Sequence, residues 1–521
     1  MDIAPGQPNF GVQADERSIT PNSSVKTIHI PMFLLGVFIL QNVLIMNVFC
    51  MVIRKSTKIV PSLMNNIHFI AIGGAVMHNL AIALKNKGYK ITGSDDEIFD
   101  PALTKLKKHN LLPEIIGWDA NKIHPELHAV ILGMHAKSDN PELIRAQELN
   151  IPIYSFPEFI YEQSKNKKRI VIGGSHGKTT TTAMIMHVLG YKGVDFDYMV
   201  GAQLQGYELT VRLSESAPVI LLEGDEYPDS ALNQTPKFHI YEANTGVITG
   251  IAWDHVNVFP TFESYKKQFR IFAENIPADG RLIYNQTDSV LDELIAESSI
   301  RCKIVGYELP SYQVIQNKVV ISHGGIEYPL EIFGQHNLLN LMAAWNVCNE
   351  LGISDTEFLT AIQSFTGAAK RLELIAEQEH SAIYKDFAHS PSKLKATIQA
   401  MREKYPNRKL VACMELHTYS SLNKKFLMEY AGSMKAADHR YVYFNDHTIA
   451  LKRLESIAPS EIKHFFNDEE LIVLTDKKEL REALLATNWT DCNLLMMSSG
   501  NFDGLDLTEL STFVINNVKY V

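Results

Sequence analysis

The sequence GGSHGKTT at residues 173–180 has the composition of a phosphate-binding loop. It follows an apolar, β-rich run and precedes a helical pattern, so backbone amides at the helix start would face the loop. Glycines allow close approach to phosphate oxygens, Lys178 can reach the outer phosphates, and Thr179 can place its hydroxyl on a magnesium ion. Ile172 stands where the strict P-loop pattern has its first glycine, so an ordinary strand-to-helix turn stays the alternative. We predict nucleoside triphosphate binding by Gly174, Ser175, His176, Gly177, Lys178, Thr179 and Thr180.

Acidic residues follow the next predicted strand, and an Asp-His pair follows the one after it. The strand at residues 219–230 ends in the sequence EGDE, with Glu226 last, and the strand at 245–259 leads to Asp254 and His255. Because the carboxyl ends of parallel strands line the ligand crevice of an open α/β sheet, these groups would lie beside the phosphate loop. The carboxylates are expected magnesium ligands, with a solvated loop as the alternative.

Upstream of this region the pattern is that of a small doubly wound domain at residues 65–165. The apolar strand IHFIAIGG ends at Gly73 and Gly74 and is followed by a helical pattern and by a second strand that ends in Ser94-Asp95. No third glycine follows, so the spacing alone is weak evidence for a dinucleotide. The side chains at this strand end can accept hydrogen bonds from a ribose or sugar, whereas a helix N-cap is the structural alternative for Asp95.

The composition favours a globular protein of about three or four domains that does not act mainly on nucleic acid. The 521 residues include 49 basic and 59 acidic side chains, a net charge of −10. Five scattered cysteines without metal-ligand spacing fit a reducing cytosol. Residues 1–25 are polar, and residues 27–53 lack charged side chains, which fits either a membrane anchor through 28–53 or an upstream extension.

Four motifs in order give the chain a resemblance to a known family. The sequences GGSHGKTTTTAM, EGDEYPDS, WDH and GQHNLLN resemble the Mur ligases, which are ATP-dependent amide-bond-forming enzymes of bacterial cell-wall synthesis. The resemblance covers residues 65–521 and implies an α/β fold in three domains. These are a Rossmann-like UDP-sugar domain at 65–165, a central P-loop ATPase domain at 166–335 and a C-terminal Rossmann-like domain at 336–521 for the amine substrate, after an N-terminal extension at 1–64.

The resemblance also implies roles for individual residues around ATP and magnesium. Lys178 matches the phosphate-binding lysine, and Thr179, Glu226 and His255 match the magnesium ligands. A carbamoylated lysine of many relatives would fall at Phe269 or Arg270, so none is expected here.

The third segment matches further family positions. Asn337 matches an adenine-contacting asparagine, Arg371 an arginine that reaches the phosphates, and Asp386 an aspartate near the ribose. His389 is either a proton acceptor or part of the start of the next helix, and Ser390 departs from the His-His-Pro pattern of the nearest branch. In the first domain, Gly73, Gly74, Ser94 and Asp95 would contact the UDP-sugar.

Smaller features favour the murein peptide ligase branch of the family. An insertion similar to PKFHIYEAN at residues 236–244, together with KRLEL and MSSGNFDGL, resembles that branch, which joins the tripeptide L-Ala-γ-D-Glu-meso-diaminopimelate to UDP-N-acetylmuramate through an acyl phosphate. The alternatives are a UDP-N-acetylmuramate–L-alanine ligase and a non-ligating P-loop protein. The motif ELHTYSSLN lacks the arginine of better-known relatives. We expect peptide contacts at His417, Ser420 and Asn501, no nucleic-acid partner, and a monomer or weak homodimer.

Overall fold

The computed structural model describes residues 66–134, 136–230, 233–368 and 371–516. The chain from Met64 to Val521 forms one compact unit. Within the described ranges, no helix has both the length and the apolar character needed to cross a membrane. The apolar run at residues 28–53 and the remainder of the predicted extension lie outside the described residues.

The first part of the unit is a four-stranded parallel sheet with the order β2-β1-β3-β4. The central strands β1 and β3 are apolar because helices cover both faces of such a sheet. The strands are β1 (Asn66–Ile70), β2 (Lys90–Ser94), β3 (Ala129–Leu132) and β4 (Ile153–Ser155). The helices are α1 (Met77–Asn86), α2 (Ala102–Lys108), α3 (Pro141–Glu148) and α4 (Phe156–Ser164).

The central part is a seven-stranded sheet with the order β11-β10-β9-β5-β8-β6-β7, parallel except for β7. Its strands are β5 (Lys168–Gly173), β6 (Asp197–Met199), β7 (Val211–Arg212), β8 (Val219–Glu223), β9 (Thr245–Ile248), β10 (Arg281–Asn285) and β11 (Lys303–Tyr307). Its helices are α5 (Lys178–Tyr191), α6 (Lys237–Ile240), α7 (Phe262–Glu274) and α8 (Ser289–Glu297). A small antiparallel sheet follows, formed by β12 (Tyr312–Ile315), β13 (Lys318–His323) and β14 (Ile326–Leu330).

Two helices after this small sheet belong to the central part by their packing. Helices α9 (Gln335–Glu350) and α10 (Asp355–Ile362) both contact α5, and Leu338 and Leu341 of α9 are fully buried. The domain boundary predicted at 335/336 stays a prediction, and in the structure both helices pack on α5 of the central part.

The last part is a six-stranded sheet with the order β15-β16-β20-β17-β18-β19, in which only the edge strand β15 is antiparallel to its neighbour. Its strands are β15 (Glu373–Gln378), β16 (Ser381–Asp386), β17 (Lys409–Glu415), β18 (His439–Tyr443), β19 (Ile472–Leu474) and β20 (Cys492–Met497). Its helices are α11 (Pro391–Lys404), α12 (Lys424–Leu427), α13 (Asp446–Leu451), α14 (Pro459–Phe466), α15 (Lys477–Leu485) and α16 (Leu507–Asn516). Three α/β parts with parallel sheets confirm the predicted fold class.

The order of the central sheet explains how distant motifs meet. Strand β5, which leads into the phosphate loop, lies between β8 and β9. The register pairs Ile172 with Glu223 on one side and Gly173 with Ile248 on the other. The segments that follow β8 and β9 therefore emerge on both sides of the loop, as the crevice argument from sequence predicted.

Candidate nucleotide and metal site

The phosphate loop has a backbone conformation that requires glycine at two positions. Gly174 has φ of 128° and Gly177 has φ of 78°, in the region that other residues rarely adopt. A Cβ at Gly174 would lie 2.1 Å from Thr249 Oγ1, and a Cβ at Gly177 would lie 2.1 Å from Asn340 Oδ1. The loop is thus held closely against β9 and α9, and its shape depends on the absence of side chains.

Lys178, the first residue of α5, lies between the loop and the acidic strand end. Its Nζ donates to the carbonyl oxygen of Gly174 at 2.7 Å and to Glu226 Oε2 at 2.8 Å. Burial opposes the charge of this ammonium, but the carboxylates of Glu226 and Asp225 outweigh burial and raise the pKa of Lys178 above its ordinary value. The lysine therefore remains a cation at the position from which outer phosphates can be reached.

Three side chains from the ends of β8 and β9 converge on one point. Ligand atoms of Asp225, Glu226 and His255 all lie within 4.8 Å of one another. Such carboxylate and imidazole ligands suit a divalent cation. His255 has φ of 56°, which turns its ring toward Glu226 Oε1 at 3.4 Å. The predicted pair Glu226 and His255 therefore lies in one cluster with Asp225, another of the carboxylates expected from the EGDE sequence.

The electrostatics of this cluster follow from its burial and its charges. Burial opposes ionisation of Glu226, yet Lys178 and His255 hold the pKa of that carboxyl well below its usual range. Burial also opposes protonation of His255, and the carboxylates of Glu226 and Asp254 outweigh it and raise the pKa of the imidazole. Tyr265 donates its hydroxyl hydrogen to Glu226 Oε1 at 2.8 Å, which fixes the orientation of the carboxylate.

Thr179 contacts a different carboxylate from the one in the cluster. Its hydroxyl donates to Glu223 Oε1 at 2.8 Å, and Glu223 Oε2 accepts from the amide of Gly201 at 2.8 Å. Thr179 therefore lies next to the converging ligands but is bonded to the last residue of β8. Its role as a magnesium ligand stays a prediction.

A cavity between the central sheet and the last sheet contains most of the predicted nucleotide residues. Residues 175–180, Asn337, Arg371 and Asp386 all line it, whereas Gly174 contributes its carbonyl oxygen to Lys178. Asn337 donates its side-chain amide to the carbonyl oxygen of Phe333 at 3.0 Å. The structure thus brings the P-loop together with family positions from α9 and from the third domain.

Arg371 and Asp386 enter this cavity from the third domain as neighbours. The guanidinium of Arg371 lies over the ring of Phe387, 4.5 Å from its centroid, and Asp386 Oδ2 accepts from the amide of Leu372 at 2.6 Å. Burial lowers the pKa of Arg371, against the opposing charge of Asp386. Burial raises the pKa of Asp386, against the opposing charge of Arg371.

Two histidines at the domain boundary are held in the neutral form. Burial lowers the pKa of His176 to about 3, and burial together with the charge of Lys393 lowers the pKa of His389 to about 3. His389 Nδ1 lies 2.8 Å from the carbonyl oxygen of Phe387, which can only accept, so this nitrogen has the proton and Nε2 has a free lone pair. The expected role of His389 as a proton acceptor stays a prediction, and its low pKa makes the ring a weak base.

Three residues of this site were not predicted from the sequence. Lys393 and His336 line the cavity, and Tyr265 joins Glu226 to Ser175 through its hydroxyl, with Ser175 Oγ at 2.8 Å. The third residue of GQHN could have indicated His336. No local signal distinguishes Lys393 or Tyr265 from other residues of their helices, because their positions follow from the packing of domains and of α7.

The predicted sugar residues lie together where β1 and β2 end. The amide of Gly73 donates to Asp95 Oδ2 at 2.7 Å, and Lys122 donates to Ser94 Oγ at 2.8 Å. Burial raises the pKa of Asp95. A Cβ at Gly74 would meet the side chain of Met77 at 3.2 Å. These residues lie together, and their contact with a UDP-sugar stays a prediction.

The predicted peptide residues lie at the ends of β17 and β20. His417 Nδ1 is 3.7 Å from Glu415 Oε1, and Asn501 accepts from the amide of Gly504 at 3.2 Å. Ser420 is buried in a short 3-10 turn at Ser420–Leu422. Asn501 therefore stabilises its own turn and is exposed, whereas His417 is half-buried.

The insertion at residues 236–244 has a structural role in the central part. Phe238 is 1% exposed and stacks on Phe272 with ring centroids 4.8 Å apart, and Lys237 pairs with Asp225 at 3.0 Å. Helix α6 therefore fills a gap in the core beside the metal cluster. This packing explains the segment without reference to the amine substrate.

Comparisons with known proteins identify all three parts. The description "Mur ligase family, catalytic domain" matches residues 66–168, "Mur ligase middle domain" matches residues 172–348, and "Mur ligase, glutamate ligase domain" matches residues 370–500. The middle match extends into α9, in agreement with its packing on α5.

Similar proteins include ligases of one substrate class. The UDP-N-acetylmuramate–L-alanine ligase of Caldicellulosiruptor bescii is 32% identical over 391 residues, which cover 72% of this chain and 82% of the relative. That of Aquifex aeolicus is 32% identical over 68% of this chain and 78% of the relative.

Two solved structures share the fold. The murein peptide ligase of Psychrobacter arcticus has a TM-score of 0.59 at 22% identity, covering 88% of this chain and 100% of that one. The UDP-N-acetylmuramate-alanine ligase of Thermotoga maritima has a TM-score of 0.61 at 20% identity, covering 87% and 98%. At these identities the structures inform on the fold alone. Matches along three successive segments, with the phosphate loop and the acidic strand ends in one crevice, show that the chain belongs to the Mur ligase family of ATP-dependent, ADP-forming amide ligases.

Proposed function

We propose that the chain uses ATP and magnesium to join L-alanine to the carboxylate of UDP-N-acetylmuramate. The observation that supports this most directly is the 32% identity, over 72% of the chain, to a UDP-N-acetylmuramate–L-alanine ligase. The tripeptide donor favoured by the sequence motifs is not confirmed, because the segment at 236–244 serves core packing. L-Alanine, the alternative donor, is better supported, because the relatives of 32% identity are L-alanine ligases.

The reaction proceeds in two balanced steps. A carboxylate oxygen of UDP-N-acetylmuramate attacks the γ-phosphorus of ATP, the bond from that phosphorus to its bridging oxygen breaks, and ADP leaves with the electron pair. The amine of L-alanine then attacks the acyl carbon, phosphate leaves with the electron pair of the carbon–oxygen bond, and the nitrogen releases a proton to water or to a base. ADP, phosphate and the amide are the products.

In the first step two anions must approach each other. Cationic groups in the cavity can offset their repulsion. Lys178 supplies positive charge at the loop, and the amides at the start of α5 face the same point. When bound at Asp225, Glu226 and His255, magnesium would neutralise phosphate charge. Arg371 brings a second cation from the third domain, so the complete site requires both domains.

The charges at the ends of β17 and β20 favour a small amine donor. Glu415 is 4% exposed, and its Oε2 accepts from the amide of Phe502 at 2.8 Å and from the hydroxyl of Ser498. The segments 415–423 and 498–504 contain no lysine or arginine. A tripeptide with several carboxylates would need cations there, whereas free alanine has one carboxylate to place.

A donor panel tests this proposal. Phosphate release is measured with ATP, magnesium, UDP-N-acetylmuramate and, in separate reactions, L-alanine, the dipeptide L-Ala-γ-D-Glu and the tripeptide. We expect the highest kcat/KM with L-alanine. A higher kcat/KM with the tripeptide would reject this donor and restore the murein peptide assignment, and His417→Ala would then reduce tripeptide use more than alanine use.

The same panel tests whether the chain is instead a nucleotide-binding switch that does not ligate. Phosphate release by a ligase depends on both the sugar nucleotide and the amine, and the product mass shows the new amide. Release that is independent of both substrates would contradict ligation. Reactions without UDP-N-acetylmuramate give the background rate.

A further inference from the structure

A lysine of the third domain lines the nucleotide cavity close to the phosphate loop. Lys393 lies in the first turn of α11 and lines the same cavity as Lys178, Thr179 and Arg371. Its neighbour Ser392 places Oγ 2.5 Å from His176 Nε2 of the loop. The start of α11 is therefore in contact with the loop, at the phosphate end of the cavity.

The charge relations of Lys393 locate its ammonium near the metal cluster. Its charge lowers the pKa of Asp254, after that of His255, and also lowers the pKa values of His176 and His389. Burial lowers the pKa of Lys393 itself to about 8, against the opposing attraction of Asp254. Asp254 and His176 belong to the segment after β9 and to the loop, and His389 lies four residues before Lys393 in the chain.

Lys393 differs from the two other cations of the cavity because its charge has no close partner. Lys178 is paired with Glu226 at 2.8 Å, and Arg371 rests on the ring of Phe387. In the described part of the chain, no carboxylate lies within ion-pair distance of Lys393 Nζ and no hydrogen bond to it is found. A half-buried ammonium without a partner is unfavourable unless an anion occupies the cavity beside it.

The start of α11 offers further unpaired donors at the same point. Its N-cap residue Ser390 makes no side-chain capping bond, and the buried Ser390 Oγ has no hydrogen-bond partner among the described residues. The first amides of a helix without a cap are available to an anion, and the helix dipole favours negative charge there. Lys393 and Ser392 at the N-terminus of α11 thus line the cavity together, next to this unpaired hydroxyl.

We propose that Lys393 binds the outermost phosphate of ATP across the domain boundary, so that it distinguishes ATP from ADP. The inference rests on the ATP-dependent chemistry of the family and is independent of the amine donor. Lys178 then holds the outer phosphates from the central sheet, and Lys393 holds the terminal one from the third domain. After transfer, the loss of that phosphate group from the nucleotide removes the contact with Lys393.

Nucleotide binding to single variants tests the inference without turnover. The dissociation constants of β,γ-methylene ATP and of ADP, each with magnesium, are measured by calorimetry for the wild-type chain, Lys393→Met and Lys393→Arg. Lys395→Met is the matched control, because Lys395 is exposed on the same helix two residues later. Circular dichroism and the melting temperature show whether each variant is folded.

The expected result is a selective loss. Lys393→Met should weaken binding of the ATP analogue by about tenfold or more, as for loss of one charge-assisted hydrogen bond, and should change ADP binding much less. Lys393→Arg should retain most of the preference for the triphosphate, and Lys395→Met should match the wild type. Equal weakening of both nucleotides, or no weakening of either, would overturn the assignment. If Lys393→Met does not fold, Lys393→Gln, which also removes the charge, takes its place: a selective loss of affinity for the ATP analogue supports the contact, and full retention of the preference overturns it.

Discussion

Replacing Lys178 by methionine should impair both ligation and stability, for one electrostatic reason. Lys178 and Glu226 form a nearly buried pair, with 14% and 1% of their side chains exposed. Methionine keeps most of the volume of lysine but removes the charge. The step in which charge moves onto phosphate loses its stabilising cation, so kcat/KM should fall by about 100-fold or more.

The cost to stability follows from the carboxylate that remains. Breaking a buried pair by removal of one partner costs about 3–5 kcal/mol. We expect about 3 kcal/mol at pH 7.5 without magnesium, at the low end of that range, because His255 remains 3.4 Å from Glu226. Lys192→Met is a control at the C-terminal end of the same helix, where the more exposed pair with Glu357 should contribute about 1 kcal/mol or less.

The pH dependence of this deficit has a definite sign. In the wild-type chain the pKa of Glu226 is held below its ordinary value of 4.5, so the contribution of the pair is full above pH 4.5 and is lost as the pH falls further. In Lys178→Met, burial is no longer opposed by the lysine and raises the pKa of the carboxyl. The deficit should therefore be largest at pH 7.5 and should shrink toward pH 4.5.

Urea unfolding followed by circular dichroism at the two pH values measures the deficit. Adding Glu226→Gln to Lys178→Met should remove most of it, because the uncompensated charge is gone. A deficit that is equal at both pH values, or that persists in the double variant, would show that packing rather than charge is responsible. Ligation by Lys178→Met at more than a tenth of the wild-type rate would contradict the assignment of the loop.

Two further predictions concern the metal cluster and the loop. His255→Ala should raise the magnesium concentration needed for half-maximal ligation, because it removes one of three converging ligands, whereas unchanged dependence in a magnesium titration would show that His255 is not a ligand. Gly177→Ala should abolish nucleotide binding measured by calorimetry, since φ of 78° and an Asn340 Oδ1 atom 2.1 Å from the new Cβ force the loop to move; Gly206→Ala, in a turn with open space, is the control, and wild-type affinity in Gly177→Ala would refute the strain argument.

The sequence predicted those parts of the site that depend on local order along the chain. The phosphate loop was visible because glycines, lysine and threonine stand at a strand-to-helix junction. The meeting of Glu226 and His255 was predictable because the ends of neighbouring parallel strands share one edge of the sheet. The partner of Thr179 was not predictable. The strand pattern does not show whether the hydroxyl of Thr179 is directed toward Glu223 or toward Glu226.

The sequence did not predict features that arise from packing between elements. Lys393 is one of 49 basic residues and has no motif of its own, and only the contact of α11 with the loop gives it a place in the cavity. Likewise, the GQHN motif indicated a nucleotide contact at Asn337, but the sequence did not show that α9 packs on α5. The predicted donor contacts also depend on packing between elements, because two strands of the third sheet bring their loops together.

The two cations that the third domain contributes are mechanically connected. Arg371 precedes Leu372, whose amide donates to Asp386 Oδ2 at 2.6 Å, and Asp386 ends the strand from which the chain continues to Lys393. A displacement of the third domain therefore moves both cations relative to Lys178, which begins α5 of the central part. Because a ligand stabilises the arrangement to which it binds more tightly, a triphosphate that contacts all three cations should favour the arrangement in which the third domain lies against the phosphate loop. After the amide has formed and inorganic phosphate has left, ADP alone lacks the contact with Lys393, so the third domain should separate from the loop more readily and release ADP.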